Sequence, residues 1–353
     1  MSVQSAPMTR FPKPLRAGDL IAVTAPSSGV SGPALARLDL VLDHLRGWGY
    51  RIVEGECLRH QHKDASAPRD QRAQELMRFL TDPAVSAILP PWGGELASEL
   101  LDLLDFESLQ SVSPKWFLGF SDLSTLQIPL TLISGWATAH GANLMDLAPT
   151  QTDPLTTSVL SILAADFSDP IVQQSSTRYQ KKWVDFAVKV DAPLDLTEPT
   201  HWRRLDGSTD AAAFRGRLIG GCLDTIAWLA GSKYGDIPRF IQESGSRGTV
   251  LYLENAEMAP PCMVRALLAL RRQGWFDGLS GLLIGRSAAP SPESPTSLSY
   301  ADALSAVLGE LSCPVIYDVD IGHQAPQFTL INGAEAHVCF EGRQGRIAQT
   351  ACV

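Results

Sequence analysis

Clusters of like charge are missing from this sequence. Charged residues make up 19% of the chain, and 29 Lys and Arg against 38 Asp and Glu give a net charge of -9, with no long run of either sign. Non-specific binding to nucleic acid or to an anionic membrane requires clustered cations, so the sequence argues against both classes of partner. A small anionic or peptide ligand remains compatible with it, because one well-placed donor can hold such a ligand.

Long uninterrupted hydrophobic runs are also missing. The N-terminal stretch contains no apolar core of signal-peptide length and no cleavage-site pattern. The most apolar long stretch, residues 118–132, is interrupted by Ser121, Asp122, Gln127 and Pro129, so it is too polar to span a bilayer. We therefore expect a cytoplasmic protein.

Paired cysteines and metal-binding patterns are absent. The six cysteines show no CxxC pair, which predicts free thiols, most of them buried: Cys57, Cys222, Cys262, Cys313, Cys339 and Cys352. His60 and His62 form an H-x-H pair without a third ligand at metal spacing, so we expect no metal. The G-x-G-x-x-G fingerprint is missing too, which argues against a nucleotide-dependent oxidoreductase and predicts no cofactor.

What is present indicates a globular chain of two domains. The 353 residues, 45% of them hydrophobic, exceed what one compact core of ordinary size contains. Strict alternation of strands and helices predicts an α/β fold with a doubly wound, mostly parallel sheet, which binds ligands at the carboxyl ends of its strands. In the first half the patterns predict strands at 20–25, 51–53, 85–89 and 115–120, and helices at 33–47, 69–80, 93–104 and from about 122.

Composition divides the chain into three parts. Residues 10–150 are predicted to form an N-terminal Rossmann-like domain. Residues 151–210 are rich in Thr, Ser, Asp and Pro, which indicates a linker and a long loop. Residues 211–353 are predicted to form a smaller C-terminal α/β domain, with strands at 215–219, 248–253, 281–285, 314–319 and 335–340 and helices near 222–230, 260–273 and 300–310.

One serine stands where a buried strand turns into a helix, in the stretch Gly119-Phe120-Ser121-Asp122. Such a corner exposes a nucleophilic hydroxyl, and the N–H of Asp122 could donate to a developing oxyanion. Serine is equally a preferred helix N-cap, and the second glycine of the usual G-x-S-x-G elbow is missing. The motif alone favours the N-cap.

Three further segments place glycines or polar groups at strand ends. Gly93-Gly94 allows backbone amides to approach a ligand, although it also suits a plain turn. Glu254 ends an apolar strand, where a carboxylate either accepts from a partner or is solvated. His323 follows a glycine in a loop that suits a general base. With Ser121 these residues are compatible with a nucleophile–carboxylate–base triad, which spacing alone leaves open.

Together these segments resemble the bacterial serine LD-carboxypeptidase family, which includes muramoyltetrapeptide carboxypeptidases and microcin C immunity proteins. The resemblance runs nearly from end to end. Seven segments carry it in the order of the family: 15–28, 72–83, 93–94, 119–122, 218–221, 253–254 and 322–323.

The resemblance implies a role for each residue of the predicted site. Ser121 would be the nucleophile, His323 the base and Glu254 the carboxylate that orients the base. The backbone amides of Gly94 and Asp122 would form the oxyanion hole, without a metal. The family also implies a homodimer, and a triad assembled between an N-terminal domain that supplies the serine and a C-terminal domain that supplies the other two residues.

The resemblance leaves two substrate classes open. One is the L,D-peptide bond of a murein tetrapeptide, as in the carboxypeptidase branch; the other is the amide of an aminoacyl or peptidyl nucleotide analogue, as in the immunity branch. The turn Trp92-Gly93-Gly94-Glu95 departs from the Arg-Gly-Gly-Tyr-Gly type of the carboxypeptidase branch, and the stretch around Trp183 is more similar to the immunity branch. Trp92, Gly93 and Trp183 are the candidate substrate contacts. The alternative is a catalytically silent two-domain ligand-binding protein of the same fold.

Overall fold

The computed structural model describes residues 9–186, 188–292 and 294–351. The α-helices are α1 (Ala34–Gly47), α2 (Arg69–Thr81), α3 (Ser124–Leu132), α4 (Pro154–Thr157), α5 (Val159–Leu163), α6 (Leu223–Ile226), α7 (Ile237–Ser244), α8 (Pro260–Arg272) and α9 (Tyr300–Leu308). The β-strands are β1 (Leu20–Val23), β2 (Arg51–Glu54), β3 (Val85–Ile88), β4 (Trp116–Gly119), β5 (Thr138–His140), β6 (Ile171–Gln174), β7 (Arg178–Tyr179), β8 (Glu198–Pro199), β9 (Arg203–Arg204), β10 (Ala212–Cys222), β11 (Thr249–Glu254), β12 (Gly281–Gly285), β13 (Val315–Val319), β14 (Leu330–Asn332), β15 (Glu335–Glu341) and β16 (Gln344–Thr350).

The first sheet has the strand order β14-β5-β4-β3-β1-β2. Strands β1 to β5 pair in parallel, and β14 joins β5 in the antiparallel direction. Successive residues of β1 face opposite sides: Ile21 packs in one apolar cluster with α1, whereas Ala22 packs in another with α2. Helices therefore cover both faces, and the prediction of a doubly wound, mostly parallel sheet is confirmed.

The second sheet has the order β6-β16-β15-β10-β11-β12-β13-β9. Its centre, β10 to β13, is parallel, and the strands on either side are antiparallel to their neighbours. The carboxyl ends of β11 and β13 lead to Glu254 and His323, and the carboxyl end of β4 leads to Ser121. All three segments thus leave parallel strands at the edge where ligands bind in α/β sheets.

The two sheets do not follow the boundaries drawn from composition. Strand β14 lies within 211–353 but completes the first sheet. The segment 151–210, predicted as a linker and a long loop, contains α4, α5 and the β7–β8 pair, and it adds β6 and β9 to the two edges of the second sheet. Short edge strands carry little apolar pattern, which explains why composition did not indicate them.

Two other expectations were wrong. The helix predicted at 93–104 is only a 3-10 turn at Ala97–Leu100, because tertiary contacts take its backbone groups: the Asp122 carboxylate accepts the N–H of Ala97, and Arg72 donates to the carbonyl of Leu96. Of the five described cysteines only Cys57 and Cys222 are buried, and Cys352 lies outside the described residues. In the described part of the chain, no helix is both long enough and apolar enough to cross a membrane.

Candidate active site

Ser121 occupies the sharp corner after β4. Its φ is +64°, in the left-handed region that non-glycine residues seldom adopt. The corner opens a three-residue 3-10 turn, Ser121–Leu123, whose N-cap is Phe120, so the N-cap interpretation of Ser121 is wrong. The elbow needs glycine two residues before the serine, because a Cβ on Gly119 would lie 2.3 Å from Leu123 and 2.7 Å from Asn143.

The structure brings Ser121, His323 and Glu254 into one hydrogen-bonded chain. His323 Nε2 lies 3.0 Å from Ser121 Oγ, and Nδ1 lies 2.8 Å from Glu254 Oε2. The Glu254 side chain is fully buried, whereas 16% of the His323 side chain remains exposed. With Nδ1 donating to the carboxylate, a neutral ring presents its Nε2 lone pair to the serine hydroxyl. This is the geometry that a general base requires.

The electrostatics of the pair favour a basic imidazole. Burial by itself would lower the pKa of His323, but the Glu254 carboxylate and the more distant Asp224 and Glu257 outweigh it, so the pKa is raised. Burial would raise the pKa of Glu254, yet the His323 charge and its hydrogen bond lower it overall. Glu254 therefore stays ionised and holds the Nδ1 proton in place.

The residues around the imidazole fix its position. The ring packs edge-on against Phe120, with 4.9 Å between ring centroids. Gly322 has φ +92°, and a Cβ there would lie 2.3 Å from Glu254 Oε2. The Glu254 carboxylate can therefore approach His323 closely only because the residue before the histidine is glycine.

Gly93 lines a small space in front of the serine. A Cβ on Gly93 would lie 2.9 Å from the backbone N of Asp122 and 3.1 Å from Ser121 Oγ, so both atoms border the same space. Gly94 has φ +143°, and a Cβ there would instead meet Ser27 and Ser28. The turn thus leaves room for a reacting carbonyl beside the serine hydroxyl and the Asp122 N–H, the arrangement expected of an oxyanion hole.

Sequence reasoning missed the side chain of Asp122. This buried carboxylate accepts from the Ser27 hydroxyl at 2.6 Å, from the backbone of Ala97 at 2.8 Å and from Thr125 Oγ1 at 3.2 Å. Burial raises its pKa, and these hydrogen bonds oppose that rise. Asp122 therefore connects the corner after β4 to the turns after β1 and β3. An aspartate directly after the serine was the only signal in the sequence.

Sequence reasoning also missed Asp224. Its carboxylate accepts from three successive backbone amides, those of Ala256, Glu257 and Met258, at 2.8 to 3.1 Å. These residues lie two to four positions after Glu254, so Asp224 holds the loop that leaves β11. No local pattern could have revealed this contact, because the partners lie more than thirty positions apart.

The two candidate tryptophans differ in their surroundings. Trp92 is half-buried, and its Nε1 donates to the carbonyl of Ser28 at 3.1 Å. Trp183 is 51% exposed. The same loop lines a cavity of about 1000 Å³ through Lys181 and Lys182, and this cavity also borders Gln324, the neighbour of His323. Lys181, Lys182 and Gln324 thus line one cavity, and no contact of Trp183 with Ser121, Glu254 or His323 is found among the described residues.

Two family models match the chain, described as the LD-carboxypeptidase N-terminal domain over residues 21–141 and the LD-carboxypeptidase C-terminal domain over residues 215–338. A Streptomyces coelicolor protein, provisionally named a carboxypeptidase, is 30% identical over 330 residues, which are 93% of this chain and 92% of that protein. A Bacillus subtilis protein, provisionally named a murein peptide carboxypeptidase, is 26% identical over 92% of this chain and 90% of its own length.

A solved structure supports the same fold. The microcin C7 self-immunity protein MccF, a protein of Escherichia coli, was solved with aspartyl sulfamoyl adenosine and is 22% identical to this chain. It superposes with a TM-score of 0.82 over 98% of this chain and 99% of that one. Matches to both domain models and to full-length relatives lead to one conclusion: this chain belongs to the LD-carboxypeptidase family of peptidases.

Proposed function

We propose that the protein is a serine hydrolase that cleaves an amide bond in a small substrate, with Ser121 as nucleophile, His323 as base and Glu254 as the orienting carboxylate. The observation that carries the proposal is the chain of two hydrogen bonds, 3.0 and 2.8 Å long, that links these side chains. In the first step His323 Nε2 takes the hydroxyl proton while Ser121 Oγ bonds to the carbonyl carbon.

The developing oxyanion would be stabilised by backbone amides. The N–H of Asp122 borders the space beside Ser121 Oγ, and the Gly93-Gly94 turn lies on its other side, with the amide of Gly94 as the second proposed donor. His323 then protonates the leaving amine, which departs and leaves an acyl group on Ser121. Water, deprotonated by the same imidazole, hydrolyses that ester and restores the serine.

The cavity that borders Gln324, the residue after His323, is the proposed site for the part of the substrate away from the scissile bond. Its lining contains the acidic Asp302 and Asp318 and several Ser, Pro and Ala residues, and it includes a basic and aromatic part: Tyr179, Lys181, Lys182, His201, Arg203 and Tyr317. This part favours an anionic group next to a planar one. The carboxylates of a murein tetrapeptide and the nucleoside part of an aminoacyl nucleotide analogue both suit it, so both substrate classes belong to the proposal.

Two further statements belong to the proposal and rest on the sequence. The protein acts in the cytoplasm, and it forms a homodimer. A catalytically silent binding protein is the alternative. The left-handed backbone of Ser121 and the buried carboxylate behind His323 argue against it, because both cost stability that binding alone would not require.

A comparison of two substrates tests the proposal. The purified protein is incubated with a murein tetrapeptide and with an aminoacyl-sulfamoyl adenosine, and release of D-alanine or of the free amino acid is measured, with Ser121→Ala as the control. We expect turnover of at least one substrate and its loss in the variant. Binding of either compound without turnover would support the silent alternative, and equal turnover by the variant would refute the nucleophile assignment.

A further inference from the structure

A thiol lies behind the proposed catalytic residues. Cys222 ends β10, next to the end of β11 that carries Glu254, and the two residues are paired in register. Each is 1% exposed. The Cys222 thiol donates to Asp224 Oδ2 at 3.7 Å, so it stands among carboxylates rather than in an apolar pocket. The proposed mechanism gives this thiol no part.

Three kinds of metal-binding atom meet at this place. One ligand atom each of Cys222, Glu254 and His323 lies within 4.8 Å of the other two, and no other group of three such residues is found in the part of the chain that the structure describes. In a tetrahedral zinc site, bonds of about 2.0 to 2.3 Å put neighbouring ligand atoms roughly 3.5 Å apart. The ligand atoms would therefore have to move about an ångström closer together to bind one ion, which side-chain rotation can supply.

A second observation points to a missing ligand. Oε1 of Glu254 is buried and receives no N–H or O–H donor among the described residues, although Oε2 is bonded to His323. Besides His323, this carboxylate has the Cys222 thiol, a weak donor, as a hydrogen-bond partner. A buried, ionised carboxylate oxygen with so weak a partner is costly, and a cation would satisfy it. The negative charges of Asp224 and Glu257 also interact with His323. Such a concentration of negative charge raises the local concentration of cations.

We propose that Cys222, Glu254 and His323 form an inhibitory site for a thiophilic divalent cation such as Zn²⁺, inside the proposed catalytic centre. The cation binds the Cys222 thiolate, Glu254 Oε1 and His323 Nδ1, with water as the fourth ligand. The thiol proton passes to solvent, and the proton of Nδ1 moves to Nε2. Nε2 then donates to Ser121 Oγ instead of accepting from it, so the serine loses its base.

The choice of cation follows from the donor set. One sulfur, one carboxylate oxygen and one imidazole nitrogen make up the site, so it selects an ion with high affinity for thiolate. Zn²⁺ and Cd²⁺ meet this condition, whereas Mg²⁺ and Ca²⁺ prefer oxygen ligands. We therefore expect inhibition by the first pair and none by the second.

Titration of the intact protein with Zn²⁺ tests this proposal, with binding measured by calorimetry and by the thiolate charge-transfer absorption of bound Co²⁺. We expect one ion per chain, and Cys222→Ala should weaken binding at least about tenfold and remove the charge-transfer band. Cys57→Ala is the matched control, because Cys57 is also buried beside a carboxylate, Glu75, yet lies outside the group. Its binding should be unchanged.

Zn²⁺ binding can be tested independently of the proposed hydrolysis. Ser121→Ala should still bind Zn²⁺, because the serine is not a ligand, so the site can be tested even if the proposed substrates are wrong. Where a substrate is turned over, Zn²⁺ should abolish turnover and a chelator should restore it. Absence of stoichiometric binding by the wild-type protein, a Co²⁺ complex without thiolate absorption, or loss of binding in Cys57→Ala would overturn the proposal.

Discussion

At the scale of single residues, the backbone of Ser121 is the most informative feature. A left-handed φ in a residue that carries a side chain costs on the order of 1–3 kcal/mol. An N-cap residue would adopt the extended region instead, which is why the cap interpretation failed. The cost is offset by the close packing of Gly119 and by the three hydrogen bonds to Asp122, which hold the corner that presents the hydroxyl.

The raised pKa of His323 leads to a prediction about pH. A base acts when it is deprotonated, so a higher pKa moves the acidic limb of kcat/KM to higher pH. We expect that limb above 6.5, the ordinary value for histidine. Glu254→Gln removes the charge that raises the pKa of His323 and should shift the acidic limb to lower pH, with a lower maximal rate. The measurement is the pH profile of kcat/KM for both proteins.

Glu257→Gln is the matched control for this profile. Glu257 is exposed and affects His323 only through its charge, so a smaller shift in the same direction is expected without the loss of maximal rate. An acidic limb at or below the ordinary histidine value in the wild-type protein, or a limb that does not move in Glu254→Gln, would contradict the assignment of His323 as the base.

At the scale of elements, the turn after β3 shapes the space in front of the serine. Gly93→Ala would place a methyl group 2.9 Å from the backbone N of Asp122 and 3.1 Å from Ser121 Oγ. Because this methyl takes the place of the oxyanion, we expect kcat/KM to fall by about 10²–10³, the effect of losing one such donor. The melting temperature should change by only a few degrees. Steady-state kinetics and thermal unfolding measure the two effects.

Gly47→Ala gives the comparison for Gly93→Ala. Gly47 ends α1, and a Cβ there meets nothing within 4 Å. This variant should keep both its activity and its melting temperature. Full activity of Gly93→Ala would mean that the space beside Gly93 is not where the carbonyl oxygen lies.

Elements with a buried apolar face could be predicted, and those fixed by distant contacts could not. The strands at 281–285 and 315–319 and the helices at 34–47 and 260–272 were predicted to within a residue or two, because their periodicity comes from the residues themselves. The helix after Gly94 was wrong, since Asp122 and Arg72 take its backbone groups. Strand β14 has three residues and no pattern of its own.

At the scale of the whole molecule, Asn332 of β14 connects the two sheets. Its Oδ1 accepts from the Tyr252 hydroxyl at 2.8 Å and from the backbone of Gly220 at 3.1 Å, and its Nδ2 donates to Thr138 Oγ1. All these groups are buried. The strand that carries Asn332 belongs by sequence to the C-terminal half but pairs with β5, so the halves that supply Ser121 and His323 are held together here.

Asn332→Ala should destabilise the whole molecule. It leaves a buried hydroxyl and a buried N–H without partners, which should lower the free energy of unfolding by about 3 kcal/mol. Denaturant unfolding measures the change. Gln110→Ala removes an exposed side-chain hydrogen bond to Ile133 and should cost less than about 1 kcal/mol. Equal stabilities of the two variants would show that Asn332 does not hold the sheets together.

The candidate site could be anticipated only in part. The order of the glycine, serine, glutamate and histidine segments indicated the family, and through it the three residues. The contact between these residues could not be derived from their spacing, since Ser121 and His323 lie 202 positions apart in the sequence. The supporting contacts of Asp122, Asp224 and Gly322 depend on the folded chain, and Cys222 was one scattered thiol among six until β10 and β11 paired.

The most direct test of the triad measures whether its members act as a unit. kcat/KM is determined on a cleaved substrate for Ser121→Ala, His323→Ala and the double variant. Because the residues of a triad act together, each single change should reduce the rate about ten-thousandfold or more, and the double variant should be no slower than the slower single one. Rates within tenfold of wild type for Ser121→Ala, or losses that multiply in the double variant, would contradict the triad.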